Sequence, residues 1–330
     1  MSRPRALVAS SRGPTLSLLG AHGAVVGVEL GLESPAHLAA HPSRPVGYVT
    51  LETDPGAVAA VDFTAQPRVL DLWQGLPANP CHVTVAPGGC WLYVCSYMGG
   101  AVTGLALTPE GTFDRRREPG VYFTTGSGPH PRQESSHPHS SLAVGDQLAV
   151  ADLGTDEIRF YPLAGGELGD EPEVVRLPPG SGPRSLTAAG ALVACSLELE
   201  PGVAWLERAD GRWRLAVSSL ELPPPAQPSE TVLAGDRAVI AVRGTEVLGV
   251  VDRRDGVVGL VASPRGVRGL APDAGRILAA AEKDDLVTEY LVSAAGLEPM
   301  ASWAVTAPAS VIAWPDGWAP GPAWRMEGGR

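Results

Sequence analysis

The chain has 330 residues, a formal net charge of −11, 44% hydrophobic residues, 40 glycines and 32 prolines. The acidic balance excludes general nucleic-acid or membrane-surface binding, although a local arginine cluster could still take an anion. No apolar run approaches the ~18 residues of a transmembrane helix. The opening MSRPRALVASSRGPTLSLLG is broken by Ser-Ser-Arg-Gly-Pro where a signal peptide needs a continuous apolar core, so a cytoplasmic protein is expected.

From the N-terminus, ALVAS, TLSLLG and AVVGVEL read as short strands, and no amphipathic helix of useful length follows anywhere. Six hairpin units come next, opened by His37, His82, His139, Arg184, Glu230 and Arg268, at intervals of 45, 57, 45, 46 and 38 residues. Repeats of this length, each with several short strands, are the signature of a β-propeller in which one blade is one repeat. The 57-residue interval holds an insertion, residues 108–134. The proline-rich stretch 222–228 falls between two repeats and reads as an inter-blade connector. A shorter seventh unit, TAPASVIAWPDGWA, cannot supply four strands, but the N-terminal strands can complete it and remove the open edges. The expected fold is therefore all-β, a seven-bladed β-propeller closed by N- and C-terminal strands. It occupies residues 1–330 as one domain, with a loose tail at about 320–330.

Positions equidistant from a hairpin turn lie at the same end of it. On that rule His139 pairs with Asp152, Arg184 with Glu198, Glu230 with Arg243, Arg268 with Glu282, His37 with Glu52, and His82 with Ser96-Tyr97. Arranged radially, these ends share one face around the central channel. Arginine supplies all the positive charge except that of Lys283, and its planar fork suits carboxylate and phosphate. Arg184, Arg243 and Arg268, with Glu198 and Glu230 opposite, predict an anion-binding groove whose arginines are held by carboxylates; the plainer reading is a solvated rim.

His137-Pro138-His139 could be a metal pair, but no third ligand with convincing spacing is visible and no metal is expected. A histidine that binds substrate or acts as a general base suits the pattern better. The competing reading is a rim histidine bonded to a backbone carbonyl. Gly126-Ser127-Gly128-Pro129 and Met98-Gly99-Gly100 are turns, since no helix follows to complete a phosphate loop. Cys81, Cys90, Cys95 and Cys195 have no zinc spacing and read as small packing residues. No G-x-S-x-G elbow for a serine nucleophile occurs.

The stretch GSGPHPRQESSHPHS with ADLGTDEIRFY, together with PCHVTVAPGG, WLYVCSYMGGAVTG, SGPRSL and the arginine before GLAPDAGR, resembles the lactonase family with a seven-bladed β-propeller. That family includes the propeller-type 6-phosphogluconolactonases and the carboxy-muconate lactonising enzymes. The resemblance runs from about Gly31 to Val292. It implies a catalytic set of His139, Arg184, Arg268 and Glu198. Glu200 competes with Glu198, and Arg265 with Arg268; hairpin symmetry favours Glu198. His137, His82, Arg243, Glu230 and Ser185 are the expected substrate-binding residues. Two departures fall in this region: Ser185 stands where the family usually has histidine, and Val267 where it usually has proline.

The resemblance implies a lactone hydrolase of carbohydrate metabolism, in the pentose phosphate pathway, needing no cofactor. Its partner would be a small anionic lactone, with no nucleic acid or membrane, and it would act as a monomer or weak homo-oligomer. Two other readings stay open: a non-catalytic ligand- or protein-binding propeller, and an enzyme for a different carboxylated lactone.

Overall fold

A computed structural model describes residues 4–12, 15–20, 24–293 and 296–318; the tail expected to be loose lies outside them. Among these residues every regular element is a strand, and the strands form seven antiparallel sheets. Blade 1 runs inside to outside through Pro35–Ala40, Val46–Leu51, Gly56–Asp62 and Arg68–Leu76. Blades 2 to 6 repeat that order from innermost strands Pro80–Val85, Pro138–Val144, Pro183–Ala189, Gln227–Ala234 and Val267–Asp273. Blade 7 is composite. Pro308–Ala313 is its innermost strand, and Pro4–Ser10, Leu16–Gly20 and Val25–Val28 are the other three. The ring is thus a seven-bladed propeller closed by pairing the two ends of the chain, which leaves no open edge between first and last blades.

The insertion at 108–134 supplies the outer strand of blade 2, Gly120–Phe123, and a loop returning to the centre. The proline-rich segment joins the outer strand of blade 4, Arg212–Ser219, to blade 5.

The core is divided among the seven blade interfaces, with one apolar cluster at each. Second strands are apolar on both faces because both faces are covered. Along Gln147–Asp152, Ala149 and Ala151 pack toward blade 4 while Leu148 and Val150 pack toward blade 2. Outer strands alternate half-buried and exposed residues, as in Glu173–Arg176.

Each innermost strand carries a register shift near its start, two or three residues wide. The residue before each shift is proline in six blades, namely Pro35, Pro80, Pro138, Pro183, Pro228 and Pro308, and Val267 in the seventh. Proline suits a strand start where no ladder donor is needed, and the bulge re-aims the next side chains. Two tiers follow from this. The residues one after the proline are Ala36, Cys81, His139, Arg184, Ser229, Arg268 and Ala309. Those two after are His37, His82, Ser140, Ser185, Glu230, Gly269 and Ser310. The six repeat-opening residues read from sequence therefore split between tiers: His139, Arg184 and Arg268 in the first, His37, His82 and Glu230 in the second.

The second tier stitches neighbouring blades together. Ser310 Oγ accepts from the Leu38 N–H (3.4 Å), His37 Nδ1 from Val83 (3.3 Å) and His82 Nδ1 from Ser141 (3.3 Å). Ser140 Oγ accepts from Leu186 (3.1 Å) and Ser185 Oγ from Thr231 (3.3 Å). Backbone donors freed by the bulges thus find partners on the preceding blade. Between blades 6 and 7 the tier holds Gly269. A Cβ there would lie 3.0 Å from the Ser310 Cα, so the strands approach too closely for a side chain.

Candidate functional site

The bulges direct the first tier, Ser229 excepted, into a central cavity of about 380 Å³. Lining it are His139, Arg184 and Arg268 from that tier, and His37, His82, Ser185 and Glu230 from the second. The residues at or just past the ends of the second strands line it too, Glu52, Tyr97, Glu198 and Arg243, with Arg132 from the insertion loop. Eight of the nine residues expected at a site, His139, Glu198, Arg184, Arg268, His82, Arg243, Glu230 and Ser185, are brought together here.

His137 is the exception. It is buried with its ring stacked on Tyr97, centroids 4.3 Å apart, and does not line the cavity. Its Nδ1 bonds the Tyr97 carbonyl at 3.0 Å, its Nε2 meets Glu134 at 3.3 Å, and its N–H donates to Asp152. It is the rim histidine bonded to a backbone carbonyl that the sequence left open. Gly154 permits this packing, since a Cβ there would fall 1.8 Å from the Ser135 carbonyl oxygen. Among the described residues no group of three or more His, Cys, Asp or Glu could hold a metal ion.

The two open pairs differ in position. Glu198 is 3% exposed and lines the cavity, whereas Glu200 faces solvent. Arg268 lines the cavity, while Arg265 pairs with Asp284 outside it.

Glu198 organises the positive charge. Its Oε1 accepts from Arg132 Nη1 and Arg243 Nη2, each at 2.8 Å, and its Oε2 lies 2.8 Å from Arg184 Nε. The Arg184 contact is an ion pair without hydrogen-bond alignment, leaving both atoms otherwise unpartnered. Burial pushes the Glu198 carboxyl up, but Arg184, Arg243 and Arg132 outweigh it and hold the group ionised, below its ordinary value. Arg243 is pushed down to about 10, by burial first and then by Arg184, and stays charged at neutral pH. Arg268 is held more loosely, 3.4 Å from Glu282 and 3.9 Å from Glu52.

Glu230 accepts a short hydrogen bond from Ser185 Oγ, and burial raises its carboxyl pKa against the opposing pull of that bond and of Arg184. Four arginines thus face three lining carboxylates, one of them shifted toward its neutral form. The cavity has the character of an anion receptor on a net acidic protein.

His139 is half-buried, with its ring T-shaped to that of Tyr97 at 5.4 Å between centroids, and among the described residues no side chain hydrogen-bonds its ring nitrogens. Burial, then Arg184, lowers its pKa well below 6.5. It is a neutral imidazole at neutral pH, able to accept a proton from a cavity water.

Residues 15–249 match the model of the family described as "Lactonase, 7-bladed beta-propeller". The chain belongs to this family. Within and around it, the chain is 31% identical over 138 residues to an uncharacterized protein of Lactococcus lactis, covering 41% of this chain and 40% of that one. It is 30% identical over 110 residues to a 6-phosphogluconolactonase of Bacillus subtilis, covering 33% and 31%. These matches span well under half the length of the curated relatives. The periplasmic gluconolactonase of Pseudomonas aeruginosa superposes with a TM-score of 0.80 over 93% of this chain and 98% of its own, at 23% identity, a likeness of fold. Among the described residues no helix is long and apolar enough to cross a membrane.

Arg132 and Tyr97 were not assigned to the site from sequence. Arg132 lies in the quoted PHPRQESSHPHS stretch, but the loop that carries it belongs to no repeat, so hairpin symmetry could not reach it. Tyr97 did carry a signal, since it occupies the hairpin end equivalent to Glu198 and Arg243.

Proposed function

We propose that this lactonase-family propeller hydrolyses an anionic sugar-acid lactone, with 6-phosphogluconolactone the preferred substrate. One observation carries the reading: a neutral histidine, His139, shares a cavity with four arginines, three of them held by Glu198. The family membership and the 6-phosphogluconolactonase of Bacillus subtilis support the reaction class.

In this reading His139 takes a proton from water as the water oxygen bonds to the lactone carbonyl carbon. The carbonyl electron pair moves onto oxygen. When the tetrahedral centre collapses, the ring C–O bond breaks, and the leaving oxygen takes the proton from the imidazolium. The product is the open hydroxy acid. Arg184, Arg132, Arg243 and Arg268 hold the phosphate, with Arg268 the most available because its carboxylate contacts are longest. Glu198 orients arginines and does not serve as acid, since three guanidiniums keep it ionised. Ser185 and Glu230 form one polar wall, and His82 another. The protein works in the cytoplasm, supplying a sugar acid to the pentose phosphate pathway, as a monomer or weak homo-oligomer.

Arginine accepts carboxylate as readily as phosphate, so a carboxylated lactone is the second reading. Initial rates with 6-phosphogluconolactone, gluconolactone and a carboxylated lactone, corrected for spontaneous hydrolysis, test both. A kcat/KM highest for the phosphorylated lactone supports the proposal. Turnover of none of the three by folded protein overturns it in favour of a ligand-binding propeller.

A further inference from the structure

His37 and His82 stand in equivalent places on blades 1 and 2, with rings stacked at 4.0 Å between centroids and 28° between planes. Each gives its Nδ1 to a backbone N–H of the next blade, Val83 for His37 and Ser141 for His82. A backbone amide can only donate, so each Nδ1 must be the bare, accepting nitrogen. The ring proton of a neutral imidazole is then forced onto Nε2. Turning either ring over would set a carbon against the amide and strand a backbone donor. Both rings line the cavity, and neither Nε2 has a hydrogen-bond partner among the described residues. Burial and Arg184 lower His37 to about 4, and burial with His37, His139 and Arg184 lowers His82 well below its ordinary value. Each ring therefore offers the cavity one uncharged N–H, in a tautomer fixed by the fold.

We propose that His37 and His82 are paired neutral donors to the lactone carbonyl oxygen, forming the oxyanion site of the reaction. The assignment rests on the lactone-hydrolase reading and divides the cavity by charge. An arginine is stabilising to an anion already present in the substrate, so it contributes to binding before reaction. A neutral N–H is a weaker partner for a ground-state carbonyl and a much stronger one once that oxygen becomes negative. The arginines thus serve the substrate's permanent anion, and the imidazole pair serves the charge that develops. Uncharged imidazole also avoids placing further cations beside Arg184. Proton balance is unaffected, since His37 and His82 donate hydrogen bonds and transfer nothing.

The test separates the two nitrogens of each ring. Asparagine places its carbonyl oxygen near the Nδ1 position, whereas glutamine places its amide nitrogen near the Nε2 position. His82→Asn and His37→Asn should keep the blade-to-blade bond and lose the cavity donor. His82→Gln should retain the donor. The expected result is a fall in kcat of about 10²–10³-fold for each Asn variant, with KM for 6-phosphogluconolactone nearly unchanged and substantial recovery of kcat in His82→Gln. Nitrogen-15 NMR of histidine-labelled parent protein should show both rings neutral with the proton on Nε2. Those N–H protons should shift downfield on saturation with glucono-1,5-lactam, a carbonyl analogue that resists hydrolysis.

Protons found on Nδ1, or full kcat in both Asn variants, would overturn the assignment. A parent that turns over no lactone yet shows the Nε2–H shift with the lactam would sink the hydrolase reading and leave the donor pair standing as a carbonyl-binding site.

Discussion

The Oε2 of Glu198 lies 2.8 Å from the Nε of Arg184, with the two side chains 3% and 7% exposed. A pair this withdrawn from water persists because Arg132 and Arg243 engage the other carboxylate oxygen. Removing the acid leaves three guanidiniums facing one another. Glu198→Gln should cost about 3–5 kcal/mol of stability, the range for breaking a buried pair, measured by urea denaturation. A loss under 1 kcal/mol would mean that the cavity water already screens these charges.

Replacement of His139 by alanine should lower kcat by about 10²–10⁴-fold, the contribution of a positioned base, with the melting temperature little changed. Because its pKa is held well below 6.5, the parent's kcat/KM should stay level as pH falls through 6.5 and decline only in stronger acid. A midpoint at or above 6.5 would contradict a half-buried, arginine-flanked base.

Arg184→Ala should raise KM for the phosphorylated lactone more than for its unphosphorylated analogue, because a charged donor is lost only to the former. Arg132→Ala should do the same, despite lying on the insertion loop. Equal effects on both substrates would place the phosphate elsewhere.

Stability itself should be acid-sensitive. His37 binds its proton at about 4 when folded, against 6.5 ordinarily. Between those values the unfolded chain holds more protons, so stability present above pH 6.5 falls as pH drops toward 4. The loss is on the order of 3 kcal/mol for this one group. Glu198, with its folded pKa depressed, works in the same direction, its stabilisation vanishing as pH falls through its folded value. His37→Asn should flatten the pH dependence of the denaturation midpoint between pH 6.5 and 4. An unchanged slope would remove His37 as its source.

Ser185→Ala removes two bonds together, the acceptor for the Thr231 N–H and the donor to Glu230. Its cost should be about 1–3 kcal/mol, the desolvation penalty of buried groups left unpaired. Ser185→Thr, which keeps the hydroxyl, should recover part of this.

The propeller was legible because turn-centred symmetry and a repeat near 45 residues are backbone properties that every blade must share. The composite blade followed from counting strands. Symmetry placed Glu198 and Arg243 correctly, but it blurred His139 and His82 into one class. Hairpin counting cannot see a bulge, and each bulge moves neighbouring residues into different tiers. The recurring proline marks the offset directly: Pro80-Cys81-His82 and Pro138-His139-Ser140 align only when read from it. Simple alternation along an extended strand would put His137 and His139 on one face. The chain instead enters the blade at Pro138, and the two rings meet Tyr97 differently, His137 stacked and His139 T-shaped.

Closure through the Pro308–Ala313 strand also bears on how the protein is made. The strand pairs with Pro4–Ser10 across about 300 residues, a loop whose chain entropy costs on the order of 5 kcal/mol to close. Until that late segment leaves the ribosome, blades 1 to 6 are a linear array of nearest-neighbour contacts, free to form in order of synthesis. The Leu38–Ser310 bond and the packing of Ile312, Trp314 and Trp318 against blade 1 can form only afterwards. The arginines and histidines of the cavity would then reach their final spacing in one last docking event. Maturation of the site, and not only of the fold, would wait on the synthesis of Pro308–Ala313.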